Sequence, residues 1–295
     1  MRPLGRTGRQ VSALGLGCAS WWAQARFPER EAIALVHAAL ERGVTVFDTG
    51  PSYGCGEIRL GKALRGRDPD RLLVLTKAGT ERHGRRLRKD FSPTAIRTSV
   101  ERSRKRLGLD RIPALLLHGC PPEQLDERLA EALGELVSRG WIGHAGLNSF
   151  DPVALRQVKG RAPFDLIMTD YNVLRPQRAA LVSELAAAGQ AVLAAAGAGR
   201  ALYALDWTGI RAPRDLWYWL RALGPSRTDW RAARRLRWLS EVPGWQPVPL
   251  ALRWALAHPD VACVLFNTTR LQHLHANLDA AARELPPGLA ERLPG

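Results

Sequence analysis

Short apolar runs alternate with amphipathic segments from one end of the chain to the other. The amphipathic segments carry apolar residues at spacings of three and four or their multiples, as in Ile96, Val100 and Leu107, which is the period of an α-helix. The segment FSPTAI adds a serine cap and a proline at the first helical position. The apolar runs predict eight strands: SALGLG from residue 12, VTVFD near 44, LLVLTK near 72, ALLLH near 114, HAGLN near 144, DLIMTDYN near 165, AVLAAA near 191 and VACVLF near 261.

This alternation predicts the fold. Strands that alternate with helices are joined by crossover connections into a parallel sheet, and eight such units close into a (β/α)8 barrel, the TIM-barrel fold. The chain has 295 residues and is 46% hydrophobic, which is enough to bury the core of one such barrel. We therefore expect a single domain over residues 1–295.

Two regions fall outside the repeat. The first ten residues contain the turn sequence GRTG and predict a hairpin or a plug below the barrel. The second region, from about 199 to 247, is a long insert between the seventh and eighth strands that holds six of the ten tryptophans: Trp207, Trp217, Trp219, Trp230, Trp238 and Trp245. Two interpretations stay open, helices that pack these rings on their own faces and a wall around an apolar substrate.

Composition narrows the class of protein. The N-terminal sequence MRPLGRTGRQ lacks the apolar core of a signal peptide, and no stretch approaches the roughly 20 apolar residues of a membrane span. We expect a cytoplasmic protein that does not enter a membrane. The four cysteines, Cys18, Cys55, Cys120 and Cys263, have no CxxC spacing, so they predict reduced thiols and neither a disulfide framework nor a zinc site.

The net charge of +15 raises the possibility of a nucleic-acid partner, because arginine and lysine neutralise phosphates. The basic residues are, however, spread along the chain with acidic residues between them. The densest basic segment, ERHGRRLRKD at residues 81–90, has no aromatic residues on which bases could stack. We therefore expect no nucleic-acid binding.

Four titratable side chains follow consecutive predicted strands. Asp48 ends the second strand, Tyr53 lies in the glycine- and proline-rich loop after it, Lys77 ends the third strand and His118 ends the fourth. The carboxyl ends of barrel strands meet at one rim, so we expect these four to converge. The alternative is a strand-capping aspartate with a tyrosine that lies over the core.

The residue types indicate proton transfer to an oxygen. A phenol has an unperturbed pKa of ~10, and a nearby ammonium group lowers it. Lys77 would supply that cation, Asp48 would hold Lys77 charged, and His118 would donate a hydrogen bond to a substrate oxygen or complete a proton relay. Tyr53 is therefore predicted to be a general acid and base.

Three alternatives to this chemistry are a barrel aldolase, a metal site and a Rossmann dinucleotide site. A lysine at a strand end can also form a Schiff base, so a barrel aldolase with Lys77 as the nucleophile stays open. A metal site at Cys55, Cys120 and His118 is disfavoured by the irregular spacing. The segments GLGCAS and GAGRAL lack the third glycine and the downstream acid of a Rossmann dinucleotide site.

The sequence resembles the aldo-keto reductases along nearly its whole length. The similar segments are LGRTGRQVSALGLG, FDTGPSYGCGEIRLGKALRG, LTKAG, SVERSRKRLGLDRIPALLLHG and LALRWALAHPDVACVLFNTTRLQHLHANL. The family's Asp, Tyr, Lys and His tetrad falls on Asp48, Tyr53, Lys77 and His118. The resemblance implies an NAD(P)H-dependent reductase of an aldehyde, ketone or sugar carbonyl that uses no metal. A dinucleotide-binding regulatory subunit, like the members of this family that attach to potassium channels, is the alternative.

The resemblance also implies a set of cofactor-binding positions. These are Gly17, Cys18, Asn148, Ser149, Met168, Tyr171, Asn267, Thr268, Thr269, Arg270, His273 and Asn277. Asn148 and Ser149 would hold the carboxamide, although the family has them in the opposite order. Tyr171 would stack on the nicotinamide, and Asn277 would contact the adenine.

Three of these positions depart from the family pattern. Met168 stands where a glutamine is common, Asn267 where a glycine or lysine is usual, and His273 where an arginine often binds the 2′-phosphate. Arg270 follows the segment NTT, which comes directly after the last predicted strand, and should begin a helix, where backbone N–H groups favour a phosphate. We therefore expect NADP as the cofactor, with NAD as the alternative.

Overall fold

A closed barrel of eight parallel strands forms the centre of the molecule. The computed structural model describes residues 1–84, 86–204, 216, 220 and 227–292. In chain order their strands are β1 (Arg2–Pro3), β2 (Gln10–Val11), β3 (Leu14–Gly17), β4 (Val46–Asp48), β5 (Leu73–Ala78), β6 (Thr80–His83), β7 (Arg86–Lys89), β8 (Ile112–His118), β9 (Ile142–Asn148), β10 (Phe164–Thr169), β11 (Ala191–Ala194) and β12 (Val261–Phe266). The barrel order is β3-β4-β5-β8-β9-β10-β11-β12, and β12 pairs with β3 to close the circle. Each of the eight predicted apolar runs forms one of these strands.

Helices connect the barrel strands and cover the outside of the barrel. Their bounds are α1 (Glu29–Glu41), α2 (Gly56–Leu64), α3 (Pro93–Leu107), α4 (Glu127–Ser138), α5 (Pro152–Gln157), α6 (Ala179–Ala187), α7 (Arg227–Arg235), α8 (Pro247–Ala257), α9 (Leu271–Ala281) and α10 (Leu289–Arg292). Short 3-10 helices span Gly5–Thr7, Ser20–Ala23, Pro69–Arg71, Pro122–Gln124, Pro176–Arg178, Gly199–Ala204 and Arg237–Glu241.

The start and the end of α3 follow from its sequence. The Ser92 side chain accepts a hydrogen bond from the backbone N–H of Ala95, and Pro93 takes the first helical position, as the segment FSPTAI predicts. The helix ends at Gly108, whose φ of 68° is left-handed and favours glycine because a side chain would be strained there.

Two apolar cores result from the alternation of side chains along each strand. The inner core fills the barrel and includes Val46, Leu73, Leu75 and Leu116. The outer core lies between the barrel and the helices and includes alternate residues of the same strands, such as Val74. The barrel interior is therefore packed with side chains, and a ligand has room only at its ends.

The predicted N-terminal hairpin closes one end of the barrel. Strands β1 and β2 pair antiparallel, and Leu4 is fully buried in the inner core. The backbone N–H of Arg6 donates to the carbonyl of Gly189, which lies two residues before β11. This end lies at the amino ends of the barrel strands, so the opposite rim is left for a functional site.

A second hairpin was not predicted from the sequence. Strands β6 and β7 pair antiparallel directly after β5, with Thr80 opposite Lys89 and Arg82 opposite Leu87. The hairpin contains most of the densest basic segment of the chain, ERHGRRLRKD at residues 81–90. It extends from the carboxyl end of the barrel strands.

The insert between β11 and β12 is described only in part. Trp207, Trp217 and Trp219 lie outside the described residues. Trp230, Trp238 and Trp245 are partly buried against the outer core. The guanidinium group of Arg283 lies 3.7 Å from the ring centre of Trp245, and that of Arg292 lies 4.0 Å from the ring centre of Trp238. These three rings therefore pack against the outer core and against residues that follow β12, and the two interpretations of the insert stay open. Within the described ranges, no helix is both long and apolar enough to cross a membrane.

Candidate active site

The strand register brings the predicted tetrad to the carboxyl rim. In β5 the side chains of Leu73 and Leu75 face the barrel interior, and Lys77 is the next residue with that orientation. Asp48 in β4 and His118 in β8 also face the interior, because each lies two residues after an inward-facing side chain of its own strand. Because β4, β5 and β8 are neighbours, the three polar side chains meet just above the apolar core.

Lys77 and Asp48 form a buried ion pair. Lys77 is fully buried, and its ammonium group donates to the Asp48 carboxylate and, over 2.8 Å, to the backbone carbonyl of Thr49. Burial acts to lower the pKa of Lys77, but the Asp48 carboxylate and the Tyr53 phenol outweigh it and leave that pKa above its usual value. Burial raises the pKa of Asp48, and Lys77 opposes this rise. Lys77 is therefore held in its charged form at neutral pH.

Tyr53 lies between this ion pair and His118. The ammonium nitrogen of Lys77 is 4.8 Å from the centre of the Tyr53 ring. The rings of Tyr53 and His118 meet edge to face, with centroids 5.7 Å apart and an interplanar angle of 82°. The following residue, Gly54, has a φ of 70°, and a Cβ atom there would lie 2.7 Å from the carbonyl oxygen of Ala23. Only glycine fits this turn, which sets the direction in which the loop presents Tyr53.

His118 is neutral in this environment. Burial, followed by the charges of Lys77 and Lys89, lowers the pKa of His118 to about 3. Its Nδ1 atom is buried and has no hydrogen-bond partner among the residues that the structure describes. A neutral imidazole has one N–H donor and one acceptor nitrogen, so His118 can donate a hydrogen bond to an oxygen without carrying a charge.

These groups open onto a cavity of about 780 Å³ at the carboxyl rim. Asp48, Tyr53 and His118 line it, whereas Lys77 is enclosed behind them. The lining also includes loop and strand-end residues from around the rim, namely Ser20, Gln24, Ser52, Thr80, Arg82, Leu87, Lys89, Asn148, Ser149, Phe150, Met168, Asp170, Asn172, Leu174, Arg175, Leu202 and Asp229. The volume is that of an ordinary small-molecule site.

A second cavity of about 490 Å³ continues from the first one. Its walls are the segment after β11, residues 246–249 at the start of α8, the end of β12 and one face of α9. Ser20, Ala196, Leu265 and Asn267 line both cavities. The two spaces therefore form one elongated groove, suited to a ligand with one part near Tyr53 and another part near α9.

Most of the predicted cofactor residues lie along this groove. Asn148, Ser149 and Met168 line the part near Tyr53, Asn267 lines both parts, and the part near α9 is lined by Thr268, His273 and Asn277. The amide nitrogen of Asn148 lies 2.8 Å from the sulfur of Met168, to which it donates.

Asn267 also crosses the seam between the first and last barrel strands. Its Nδ2 donates over 2.9 Å to the carbonyl of Gly17. A Cβ atom on Gly17 would lie 2.6 Å from the Asn267 side chain, so this contact requires glycine at position 17.

Besides Gly17, four predicted cofactor residues lie outside the lining of both cavities. Cys18 is fully buried, and burial raises the pKa of its thiol well above the usual value. Thr269 is buried next to the groove. Arg270 caps the start of α9, as expected, and its backbone N–H donates to the hydroxyl of Thr268.

Tyr171 is the fourth of these residues. Its ring packs against Trp254 and His258, each with a centroid distance of 5.2 Å. The residues before and after it, Asp170 and Asn172, line the cavity instead, because the side chains of consecutive residues point in opposite directions here.

Several lining residues were missed by the sequence analysis. Arg82 and Lys89 reach the cavity from the β6–β7 hairpin, and Ser20 has a positive φ of 59° at the junction of the two cavities. The insert contributes Asp229, whose carboxylate pairs with Arg175. Gly84 lies in the middle of the hairpin segment and is a turn signal, but the polar residues on either side of it show no alternation that would predict strands.

The chain is similar to known proteins over nearly its whole length. The sequence model of the aldo/keto reductase family matches residues 13–293. A D-threo-aldose 1-dehydrogenase from a Pseudomonas species is 31% identical over 314 residues, which cover 96% of this chain and 93% of that protein. The solved structure of an aldo-keto reductase from Bacillus halodurans, in its holo form, superimposes with a TM-score of 0.81 at 25% identity and covers 99% of this chain and 94% of that one.

Proposed function

The chain belongs to the aldo/keto reductase family, and from this premise we propose that it interconverts a carbonyl compound and its alcohol with a nicotinamide dinucleotide, with Tyr53 as the general acid and base. The observation that carries the proposal is the position of Tyr53, which lines the larger cavity while its ring lies 4.8 Å from the ammonium nitrogen of Lys77. Family membership supports oxidoreduction of carbonyls, and the tetrad geometry supports the roles of the individual residues.

The groove fits an extended dinucleotide. Asn148 and Ser149 would hold the carboxamide end near Tyr53, and His273 and Asn277 would hold the adenosine end near α9. The narrow approach of Asn267 to Gly17 marks the point where the two cavities join. When bound, the reduced nicotinamide supplies the hydride that the carbonyl carbon accepts.

The tetrad accounts for the proton. As the carbonyl oxygen gains negative charge, Tyr53 gives it the phenolic proton, and a new O–H bond replaces the one broken on the phenol. The ammonium group of Lys77 favours the resulting phenolate, and Asp48 keeps Lys77 charged. Neutral His118 donates a hydrogen bond to the same substrate oxygen. Tyr53 then recovers its proton from solvent, and in the oxidative direction each transfer runs in reverse.

The site gives less support to the two alternative functions, a Schiff-base aldolase and a regulatory subunit that binds the dinucleotide. A Schiff-base lysine must be neutral and must reach the substrate, whereas Lys77 is fully buried and paired with Asp48. A regulatory subunit would bind the dinucleotide without turnover, but it would not need four proton-transfer groups beside a cavity of about 780 Å³.

We propose NADPH as the preferred dinucleotide. Arg270 stands at the start of α9, the helix that presents His273 and Asn277 to the groove, and an arginine there can bind a 2′-phosphate through charge-assisted hydrogen bonds. The first substrates to test are aldoses, because the Pseudomonas relative is named for their oxidation at C1.

We also propose that the protein acts in the cytoplasm. All four cysteines are free thiols, which persist in reducing compartments. Cell fractionation followed by immunodetection tests this location, and recovery of the protein outside the cytoplasmic fraction would contradict it.

The decisive experiment for the function is Tyr53→Phe. The change removes one hydroxyl group and keeps the ring, so we expect turnover to fall by about 10²- to 10⁴-fold, the usual range for general acid catalysis. Binding of NADPH, measured by fluorescence titration, should change little.

Tyr203→Phe provides a matched control. It removes a tyrosine hydroxyl that donates to the carbonyl of Ala198 and lies outside the lining of both cavities, so turnover should be retained. A loss of less than about tenfold in Tyr53→Phe, roughly 1.4 kcal/mol in the barrier, would exclude Tyr53 as the acid.

A further inference from the structure

The β6–β7 hairpin presents two cations to the active-site cavity. Side chains alternate along paired strands, and the register pairs Thr80 with Lys89 and Arg82 with Leu87. All four of these residues line the cavity. Glu81 and Arg88 pair with each other and line a separate depression on the opposite face of the hairpin.

Both cations are fixed beside the tetrad by hydrogen bonds to the backbone. The Nε atom of Arg82 donates over 3.2 Å to the carbonyl of Ser52, which precedes Tyr53 in the chain. The Nζ atom of Lys89 donates over 3.1 Å to the carbonyl of Gly119, which follows His118. The charge of Lys89 is also one of the causes that lower the pKa of His118.

These two charges are not balanced by acids of the described chain. Arg82 and Lys89 have no carboxylate partner among the residues that the structure describes. The acids on the far side of the cavity are already engaged, since Asp170 pairs with Arg175 and Arg178 and Asp229 pairs with Arg175. The hairpin side of the cavity is therefore positive, whereas the opposite side is close to neutral.

The positive side is bordered by apolar surface. Leu87 is 56% exposed and Phe150 is 49% exposed, and both line the cavity. A substrate whose carbonyl group approaches Tyr53 would lay its carbon skeleton along this surface and direct a distal group toward the cations.

We propose that the β6–β7 hairpin is a specificity wall, and that the substrates of this protein are carbonyl compounds with a carboxylate or phosphate group that Arg82 and Lys89 bind. The proposal rests on the proposed carbonyl oxidoreduction and adds the chemical class of the substrate. The remaining N–H groups of the Arg82 guanidinium and of the Lys89 ammonium are the donors that an oxyanion requires. The net charge of +15 adds long-range attraction for an anionic substrate.

Two matched substrate pairs test this proposal. In the carboxylate arm, 4-carboxybenzaldehyde is compared with its neutral methyl ester, methyl 4-formylbenzoate. In the phosphate arm, glyceraldehyde 3-phosphate is compared with glyceraldehyde. For each pair the measured quantity is the ratio of kcat/KM for the anionic member to kcat/KM for the neutral one.

We expect the wild type to favour the anionic member of at least one pair by about tenfold or more, the scale of a charge-assisted hydrogen bond. The double variant Arg82→Gln with Lys89→Gln should lower that ratio by about tenfold or more, with a much smaller change for the neutral substrate. Higher ionic strength should lower the wild-type ratio as well, because salt screens exposed charges. The arm that responds identifies the oxyanion.

Arg88→Gln is the control for position, because it removes one positive charge from the opposite face of the same hairpin, whereas the double variant removes two from the face that lines the cavity. It should keep the wild-type ratio. A wild-type ratio near one in both arms, an unchanged ratio in the double variant, or an equal loss in Arg88→Gln would overturn the proposal. Since the removal of Lys89 also acts on His118, the ratio within a pair is informative and the absolute rate is not.

A binding measurement separates this proposal from the proposed function. Calorimetry with cofactor compares 4-(hydroxymethyl)benzoate with its methyl ester, and glycerol 3-phosphate with glycerol. Tighter binding of an anion that the double variant loses would support the specificity wall even if no substrate were turned over, which would contradict only the oxidoreductase function. Rapid turnover of the neutral aldehydes with no preference for anions would support the oxidoreductase function and contradict the specificity wall. Failure of both anions to bind would count against the wall.

Discussion

The imidazole of His118 illustrates how the environment of one residue sets its chemistry in this barrel. It stands at the end of β8, and burial with the nearby cations Lys77 and Lys89 lowers its pKa to about 3. A histidine in an unfolded chain has a pKa of about 6.5. Between these two values the unfolded chain binds a proton that the folded protein does not, so His118 makes the free energy of unfolding fall as the pH is lowered from about 6.5 toward 3.

His118→Asn tests this linkage. The substitution removes the titrating group, so we expect the melting temperature of the variant to improve relative to wild type as the pH is lowered from about 7.5 to 5, in the window between the two pKa values. Thermal unfolding at both pH values gives the comparison. A difference between the two proteins that is the same at both pH values would show that His118 is not held neutral by its surroundings.

Arg270 carries the second prediction at this scale. If its guanidinium group binds the 2′-phosphate, Arg270→Ala should weaken NADPH binding by about one to two orders of magnitude, the range for hydrogen bonds between charged groups. NADH binding should be unchanged. Dissociation constants for both cofactors give the test, with the exposed Arg234 of α7, changed to alanine, as the control. Equal affinities for NADPH and NADH in the wild type, or an equal loss for both in the variant, would exclude this role.

The sequence predicted the individual site residues unevenly. Asp48, Lys77 and His118 could be predicted because a strand fixes both the direction of a side chain and the rim at which it ends. The carboxamide and adenosine positions depended on the resemblance. Tyr171 shows the limit: its chain position is one residue from the cavity lining, and only the backbone direction after β10 decides that its ring packs on Trp254 and His258.

At the scale of elements, the N-terminal hairpin acts as part of the core. Leu4 is fully buried among inner-core residues that also include Val46 and Ala191. A polar, arginine-rich terminus thus contributes an apolar side chain that closes the amino end of the barrel.

Leu4→Ala should therefore destabilise the protein by about 2–5 kcal/mol, the usual loss when a buried leucine is truncated and a cavity remains. Leu220→Ala makes the same change at a leucine that is 53% exposed and should have little effect. Chemical denaturation of both variants measures the difference. Equal stability of the two variants would mean that the hairpin does not contribute to the core.

Elements with a clear period were predicted, whereas the β6–β7 hairpin was not. The eight barrel strands are apolar runs, and apolar residues recur every three to four positions in the helices. The sequence therefore indicates which side chains of these elements are buried. The segment at residues 80–89 is almost entirely polar, and Leu87, its apolar side chain, is exposed. Its pairing is stabilised by backbone bonds and by contacts to Ser52, His118 and Gly119, which no local pattern records.

At the scale of the whole molecule, the inner core joins the two ends of the chain. Leu4 near the amino terminus and Leu265 in the last barrel strand belong to the same cluster, and β12 pairs with β3. We propose on this ground that residues 1–295 fold as one domain. Scanning calorimetry should show a single cooperative transition, because neither half can bury its apolar surface alone. Two resolved transitions would contradict the proposal.

The hydrogen bond from Asn267 to the Gly17 carbonyl also bears on how the protein is made. The residues proposed for proton transfer, Asp48 to His118, are synthesised well before Asn267 and before α9 with its Asn277, which line the second part of the groove. In the nascent chain, the group proposed as the proton donor is therefore present long before the part of the groove that is proposed to hold the adenosine end of the dinucleotide.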